Sequence, residues 1–145
     1  MKAVLQRVNQ ATVSVDNKEV GSIKKGYLIL LGIGENDTKE DADRLLAKIT
    51  KLRLFPDQNN KTNLNINDVN GNLLIISQFT LYADCRKGNR PSFTQAANPH
   101  QAEELYNHFT TTAKTPFPNL ATGIFGAYMQ ITSTNDGPFT LILES

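Results

Sequence analysis

The chain opens on alternation. In "MKAVLQRV" and again in "ATVSV" apolar residues occupy every second position, the period of a strand with one face buried. "ATVSVDNKEVGSI" predicts two short strands around a turn at Asp16 and Asn17, and "YLILLGIG", residues 27–34, is the short Gly-bounded apolar run of a buried strand. The period then changes. Ala42, Leu45, Leu46, Ile49 and Leu52 recur at helical spacing behind a cap at Asp37 or Thr38, with Glu40 completing a capping-box pattern three residues after Asp37. Phe55-Pro56 marks the exit of this helix, and a polar, Asn-rich loop over residues 56–72 leads into the strand-like "LLIISQFTLYA". A second helix starts with Asn98 as cap and Pro99 in the first helical position, carries Ala102, Leu105, Tyr106 and Phe109 on one face, and ends before "TPFP". Two final strands, "FGAYMQITS" and "FTLILE", are expected to be joined by a hairpin tip in "NDGPFT", Asn135 to Thr140. The sum is an α+β fold: a mostly antiparallel or mixed β-sheet packed with two amphipathic helices, in a single domain spanning residues 1–145.

Composition narrows the class without choosing a function. Hydrophobic residues at 39% and charged residues at 20% are globular values, so neither disorder nor a fibrous repeat is indicated. The alternating N-terminus lacks the apolar core of a signal peptide and no stretch reaches membrane-span length, so a soluble, cytoplasmic protein is expected. The single cysteine, Cys85, cannot form an internal disulfide, and with only His100 and His108 beside it there is no zinc spacing; neither a metal nor a cofactor is expected. A net charge of +1 confines any nucleic-acid binding to local patches, of which "RKGNR" (Arg86, Lys87, Arg90) and the pair Lys24 and Lys25 are the candidates.

Familiar catalytic motifs are missing. There is no G-x-S-x-G elbow, P-loop or H-E-x-x-H, and "GIGEND" lacks the third glycine of a dinucleotide fingerprint. His108 lies off the apolar stripe of the second helix and reads as a surface residue, which leaves no obvious general base. Ser77, Gln78 and Thr80 interrupt an apolar strand in "SQFTLYAD", and buried polar groups need partners or cost on the order of 1–3 kcal/mol each. They mark a strand end or a site. Thr80 is open to two readings, nucleophile or pocket-shaping group, because a hydroxyl nucleophile needs an activating base and none is evident.

What decides is the combination. "SQFTLYAD", "KGNRPSF", "TGIFGAYMQI" and "NDGPFT", with the opening "MKAVLQRV…ATVSVD" and "KGYLILLGIG", resemble the D-aminoacyl-tRNA deacylases of the bacterial type from end to end. Where that family often has Val after Gly-Pro, this chain has Phe139. The resemblance implies a homodimer whose partner is D-aminoacyl-tRNA, hydrolysing the ester between a D-amino acid, or glycine, and the terminal ribose. It implies that Gly137 and Pro138 form a cis pair inserted into the other subunit's pocket, opposite Ser77, Gln78, Phe79 and Thr80, as a chiral gate against L-amino acids. It also implies an oxyanion donor in the main chain near Phe79 and assistance from the terminal 2′-hydroxyl of the RNA in place of a protein nucleophile. Arg7 becomes the candidate support for the Gly-Pro segment, Met129 a candidate pocket residue, and Arg86, Lys87 and Arg90 candidate phosphate contacts. Two alternatives stand beside this: a non-catalytic RNA-binding module with Gly-Pro as a plain turn, and a small-molecule esterase using Thr80.

Overall fold

The computed structural model describes all of residues 1–145. Its elements are β1 (Lys2–Val15), β2 (Lys18–Ile23), β3 (Gly26–Gly32), α1 (Lys39–Lys51), β4 (Phe55–Pro56), β5 (Thr62–Leu64), β6 (Asn72–Ser77), a 3-10 turn (Phe79–Tyr82), α2 (Pro99–Lys114), β7 (Ala121–Thr122) and β8 (Gln130–Glu144). The fold is mixed α+β. Strand β1 is its spine: one edge pairs antiparallel with β3 and β2, the other with β8. Parallel pairing of β3 with β6 and of β6 with β7 completes the sheet. The sheet curls until β2 nearly meets β7: a Cβ added at Gly21 would lie 2.9 Å from the Thr122 carbonyl oxygen.

The alternating residues of β1 divide the core. Ala3 and Leu5 join Tyr27, Ile29 and Leu31 of β3 and the stripes of both helices in the larger cluster, while Val8, Ala11 and Val13 join Leu28, Leu74 and Ile76 in a smaller one. Both helices bury most of the predicted stripes, Leu52 (the C-cap of α1) and Ala102 being only partly buried, and α2 extends its own to Thr110 and Ala113. The seam between them carries an ion pair, Lys39 with Glu104 at 3.0 Å, and a contact of His108 Nε2 with the Asp43 carboxylate at 2.8 Å. No helix is long and apolar enough to cross a membrane.

Several local expectations are corrected. The N-cap of α1 is Thr38, in a reciprocal box with Asp41, not with Glu40. Asp37 is withdrawn from capping because its carboxylate accepts from the Gly34 amide at 2.6 Å and the Tyr82 hydroxyl at 3.2 Å, and lies 2.6 Å from the Met1 ammonium. The first two predicted strands are one continuous β1, and the turn after it has Asp16 and Asn17 both at positive φ, the geometry of a two-residue hairpin. The Asn-rich loop contains the small β4–β5 hairpin, tied down by Asp57 accepting from the Asn59 and Lys61 amides. The strand in "LLIISQFTLYA" stops at Ser77, and Phe79 to Tyr82 turn into a 3-10 helix.

The largest correction concerns "NDGPFT". It is not a hairpin tip but an excursion within one 15-residue strand, β8, which pairs with β1 on both sides of it. Between the pairs Gln6↔Thr140 and Val8↔Asn135, β1 advances two residues while β8 advances five, so three extra residues bulge from β8 opposite Arg7.

Gly26 shows how tightly β3 and β6 are joined. A Cβ there would lie 1.9 Å from the Asn72 carbonyl oxygen, a backbone atom that cannot swing aside. Gly26→Ala is therefore expected to destabilise the protein by about 3 kcal/mol or more, read as a lower urea midpoint; a midpoint unchanged from wild type would contradict this packing.

Candidate active site

A cavity of about 550 Å³ lies beyond the end of β6. One wall is Ser77, Gln78 and Phe79, where the strand breaks into the 3-10 turn; the facing wall is Ala96, Ala97, Pro99 and Ala102 at the start of α2; the third is the segment Phe125 to Met129 before β8. The lining is mostly apolar. The strand ends here because the chain after Gln78, whose amide still donates to the Leu31 carbonyl at 2.8 Å, turns away from β3. Close approach is possible because Gly32, at the end of β3, and Gly34, just beyond it, carry no side chains: a Cβ at Gly32 would be 3.0 Å from the Gln78 carbonyl oxygen, and one at Gly34 would be 2.8 Å from the Tyr82 ring.

The polar groups of this wall are few. The Gln78 side-chain amide donates to the Thr80 hydroxyl at 2.5 Å, which leaves Thr80 held by a neutral donor rather than by a base. The main-chain N–H groups of Phe79 and Thr80 open the 3-10 turn, where no intrahelical acceptor exists for them. Phe79 is 56% exposed and meets Phe93 edge to face, with ring centroids 5.0 Å apart. Behind the turn, burial and the neighbouring Asp37 carboxylate push the Tyr82 phenol above its ordinary range, so it remains a hydroxyl donor. Met129 lines the cavity and its thioether sits in the space that Gly123 leaves open, where a Cβ would come within 2.3 Å of Sδ.

Thus Ser77, Gln78, Phe79 and Met129 come together, with Thr80 beside them. Gly137, Pro138 and Arg7 do not join them. Arg7 pairs in register with Tyr27 of β3, whereas Ser77 pairs with Leu31, four residues further along, so the two groups are separated by about 13 Å along the strands in addition to the spacing between strands. Gly137, at φ +130°, and Pro138 are joined by a cis peptide bond and are exposed. Arg7 is only 9% exposed, and its guanidinium holds the flank of this bulge: Nε donates to the Asp136 carbonyl at 3.1 Å and lies 3.0 Å from its carboxylate. Nη1 donates to the Leu54 carbonyl, and the cation packs on the Phe55 and Phe139 rings, 5.9 and 5.1 Å from their centroids. Phe139, the residue at which this chain departs from the Val of the resemblance, therefore forms part of the Arg7 cage.

The basic candidates divide. Arg86 is already engaged by Asp84 through two bonds, 2.9 and 2.7 Å, and this pairing brings the Asp84 carboxyl down to about 2. Lys87 and Arg90 are exposed and make no ion pair. Lys24 and Lys25 sit at the opposite end of β3 from the cavity, and the Lys25 ammonium lies 5.4 Å from the Phe55 ring centroid, close to Arg7 and the Gly-Pro bulge. Sequence reasoning missed Phe93, Phe125 and Tyr128. The "FGAYMQITS" stretch was expected to be strand from its start, but strand begins at Gln130 and the preceding residues form a turn, leaving Tyr128 89% exposed. The adjacent "PSF" and "IFGAY" aromatics with no alternation around them were the available signal.

A family model for D-Tyr-tRNA(Tyr) deacylase matches residues 4–144. The chain belongs to that family. Members of the deacylase family similar to it include the D-aminoacyl-tRNA deacylase of Thermosipho africanus, 52% identical over all of this chain and 97% of the relative, and that of Clostridium novyi, 51% identical with the same coverage. Among solved structures, one described as c-Myc DNA unwinding element binding protein is 40% identical, covers 100% of this chain and 99% of its own, and superposes with a TM-score of 0.95. A probable eukaryotic D-amino acid tRNA deacylase, 16% identical with 99% and 98% coverage, shares the fold at a TM-score of 0.88. With full-length relatives of this kind the chain is a hydrolase of the deacylase family.

Proposed function

We propose that this protein hydrolyses D-aminoacyl-tRNA, and glycyl-tRNA on non-cognate tRNA, in the cytoplasm, using composite sites in which one subunit of a homodimer supplies the pocket and the other the Gly137-Pro138 gate. The observation that carries the reading is the separation of the two groups: Ser77, Gln78, Phe79 and Met129 lie at one end of the sheet, while Gly137 and Pro138 stand exposed at the other. They can act on one substrate only if they come from different copies. A two-fold interface gives two identical sites from one contact, and the long free edge of β8, which otherwise invites uncontrolled pairing, is a natural surface for it.

In this reading the substrate's α-ammonium group meets the carbonyl groups of the Gly-Pro bulge, and Cα is crowded on the side where an L side chain would project. A D side chain points outward and glycine has none to reject. Selection by exclusion needs a fixed backbone more than particular side chains, and the Arg7 cage supplies one. The aminoacyl ester is already activated. Hydrolysis adds water across the acyl C–O bond, the proton going to the ribose oxygen and the hydroxyl to the carboxylic acid product. The Phe79 and Thr80 amides are the donors for the developing oxyanion. The terminal 2′-hydroxyl of the RNA assists, and Thr80, bound by the Gln78 amide, shapes the pocket. Phosphate contacts fall to Lys87 and Arg90, with Lys24 and Lys25 of the gate-supplying subunit, while Arg86 is largely neutralised by Asp84.

Wild-type protein is expected to hydrolyse D-tyrosyl-tRNA and leave L-tyrosyl-tRNA intact, and Thr80→Ala to retain most of that activity; inactivity of the mutant would revive Thr80 as the nucleophile, and no hydrolysis by wild type would leave the binding-module reading. If sites are composite, mixing and reassociating inactive Phe79→Pro, which removes the main-chain donor at the first position of the 3-10 turn, with inactive Pro138→Ala should restore about a quarter of wild-type activity, since half the dimers are mixed and each has one intact site. A mixture as inactive as its components would rule out the cross-subunit arrangement. Lys87→Ala combined with Arg90→Ala should flatten the log-affinity against log-salt slope for tRNA by about 1.5, whereas Arg86→Ala should change it little; equal slopes in all three proteins would remove this loop from the RNA surface.

A further inference from the structure

The site reading leaves one polar cluster unused. The carboxylate of Asp37, 13% exposed, is shared among parts of the chain that have no sequence proximity. Its Oδ2 accepts from the Gly34 amide at 2.6 Å and from the Tyr82 hydroxyl at 3.2 Å, and its Oδ1 faces the Met1 ammonium at 2.6 Å. Tyr82 is the last residue of the 3-10 turn that begins with Phe79. The segment containing Asp37 is bonded equally firmly to the other wall of the cavity: the Ala97 amide donates to the Ile33 carbonyl at 3.0 Å, the Glu35 amide to the Gln95 carbonyl at 3.1 Å, and the Gln101 side-chain amide to the Glu35 carbonyl at 3.0 Å. Residues 33–37 thus stand between the two walls, and a single carboxylate fastens the Phe79 wall to them.

We propose that Asp37 is a positioning residue for the active site, its carboxylate fixing through Tyr82 and Gly34 the distance between the turn that carries the Phe79 and Thr80 amides and the α2 wall. The inference rests on the function proposed above. The turn is only four residues long and its own bonds are few, the Leu81 amide to the Gln78 carbonyl at 3.3 Å and the Ala83 amide to the Thr80 carbonyl at 3.0 Å. Main-chain bonds hold its two flanks, the Gln78 amide to the Leu31 carbonyl at 2.8 Å and Asp84 with Ser92 at 2.8 and 3.0 Å, and Tyr82 is the residue of the turn that a side-chain bond ties to residues 33–37. Tyr82 provides a lever, because its ring fills the space over Gly34 while its hydroxyl is the only side-chain donor from the turn to the rest of the chain. Catalysis that relies on preorganised main-chain donors is sensitive to this kind of anchor, since a displacement of the order of 1 Å can cost about a hundredfold in rate.

The test measures steady-state hydrolysis of D-tyrosyl-tRNA by wild type, Tyr82→Phe, Asp37→Asn, Gly34→Ala and the site control Phe79→Pro, which deletes the main-chain donor, with melting temperatures and backbone amide spectra of each. Tyr82→Phe keeps the ring and removes only the hydroxyl, so it guards against variants that fail to fold. It is expected to lower kcat about tenfold with KM changed less than about twofold, and to move the Phe79 and Thr80 amide resonances while leaving those of β1 in place. Gly34→Ala should act in the same direction. A fall in melting temperature with kcat within about twofold of wild type in both Tyr82→Phe and Asp37→Asn, while Phe79→Pro is inactive, would reduce Asp37 to a stabilising contact and overturn the inference alone. Full activity of Phe79→Pro would overturn the site reading and this inference with it.

Discussion

A guanidinium placed in the interior must be satisfied on every side, and much of this molecule is arranged around that requirement at Arg7. Leaving such a group unpaired costs on the order of 3–5 kcal/mol. Here its donors reach the Leu54 and Asp136 carbonyls and the Asp136 carboxylate, and its faces lie against Phe55 and Phe139. Asp136 can reach only because β8 lengthens by three residues opposite Arg7. The cation and the bulge are mutually dependent: the bulge supplies the acceptors, and the cation keeps exposed backbone from wandering. The β4 strand is drawn into the same knot through Phe55, which also stacks on Tyr27 at 5.2 Å.

The other end of the sheet is organised by the opposite device, the absence of side chains. Gly32 and Gly34 let a turn settle onto the end of β3, and Gly123 makes room for the Met129 thioether. What results is an apolar cavity with main-chain amides on its wall and no acid or base of the usual kind. That poverty of side-chain chemistry is coherent for a deacylase acting on an ester already activated, where alignment and charge stabilisation by fixed dipoles supply the acceleration. A braced backbone bulge at one end and main-chain amides at the other are two forms of the same economy.

The seam between the helices and the basic loop play lesser parts. Lys39 with Glu104 and His108 with Asp43 are exposed or half-exposed pairs, of the kind worth little in water. The Arg86–Asp84 pair is also exposed, and it is the reason the proposed phosphate contacts are given to Lys87 and Arg90.

Much of the architecture was written in local pattern. The strand alternation of β1, the Gly-bounded apolar run of β3, both helix stripes, the Asn98–Pro99 start of α2 and the turn at Asp16 and Asn17 each follow from short-range periodicity or from the φ preferences of a few residues, so the α+β class was legible without coordinates. The motif residues Ser77 to Thr80, Gly137 and Pro138 were likewise legible, through their combination. Local pattern could not say that "NDGPFT" sits inside a continuous strand, since a bulge and a hairpin tip have the same composition and only the register against β1 distinguishes them. Nor could it say that Thr38 rather than Asp37 caps α1, because Asp37 is claimed by Tyr82, 45 residues away. The burial of Arg7, the pairing of Arg86 with Asp84, the exposure of Tyr128 and the separation of the Gly-Pro bulge from the cavity were decided by the tertiary structure alone. Each depends on which distant groups share a place, and a chain read one residue at a time contains no record of those distances.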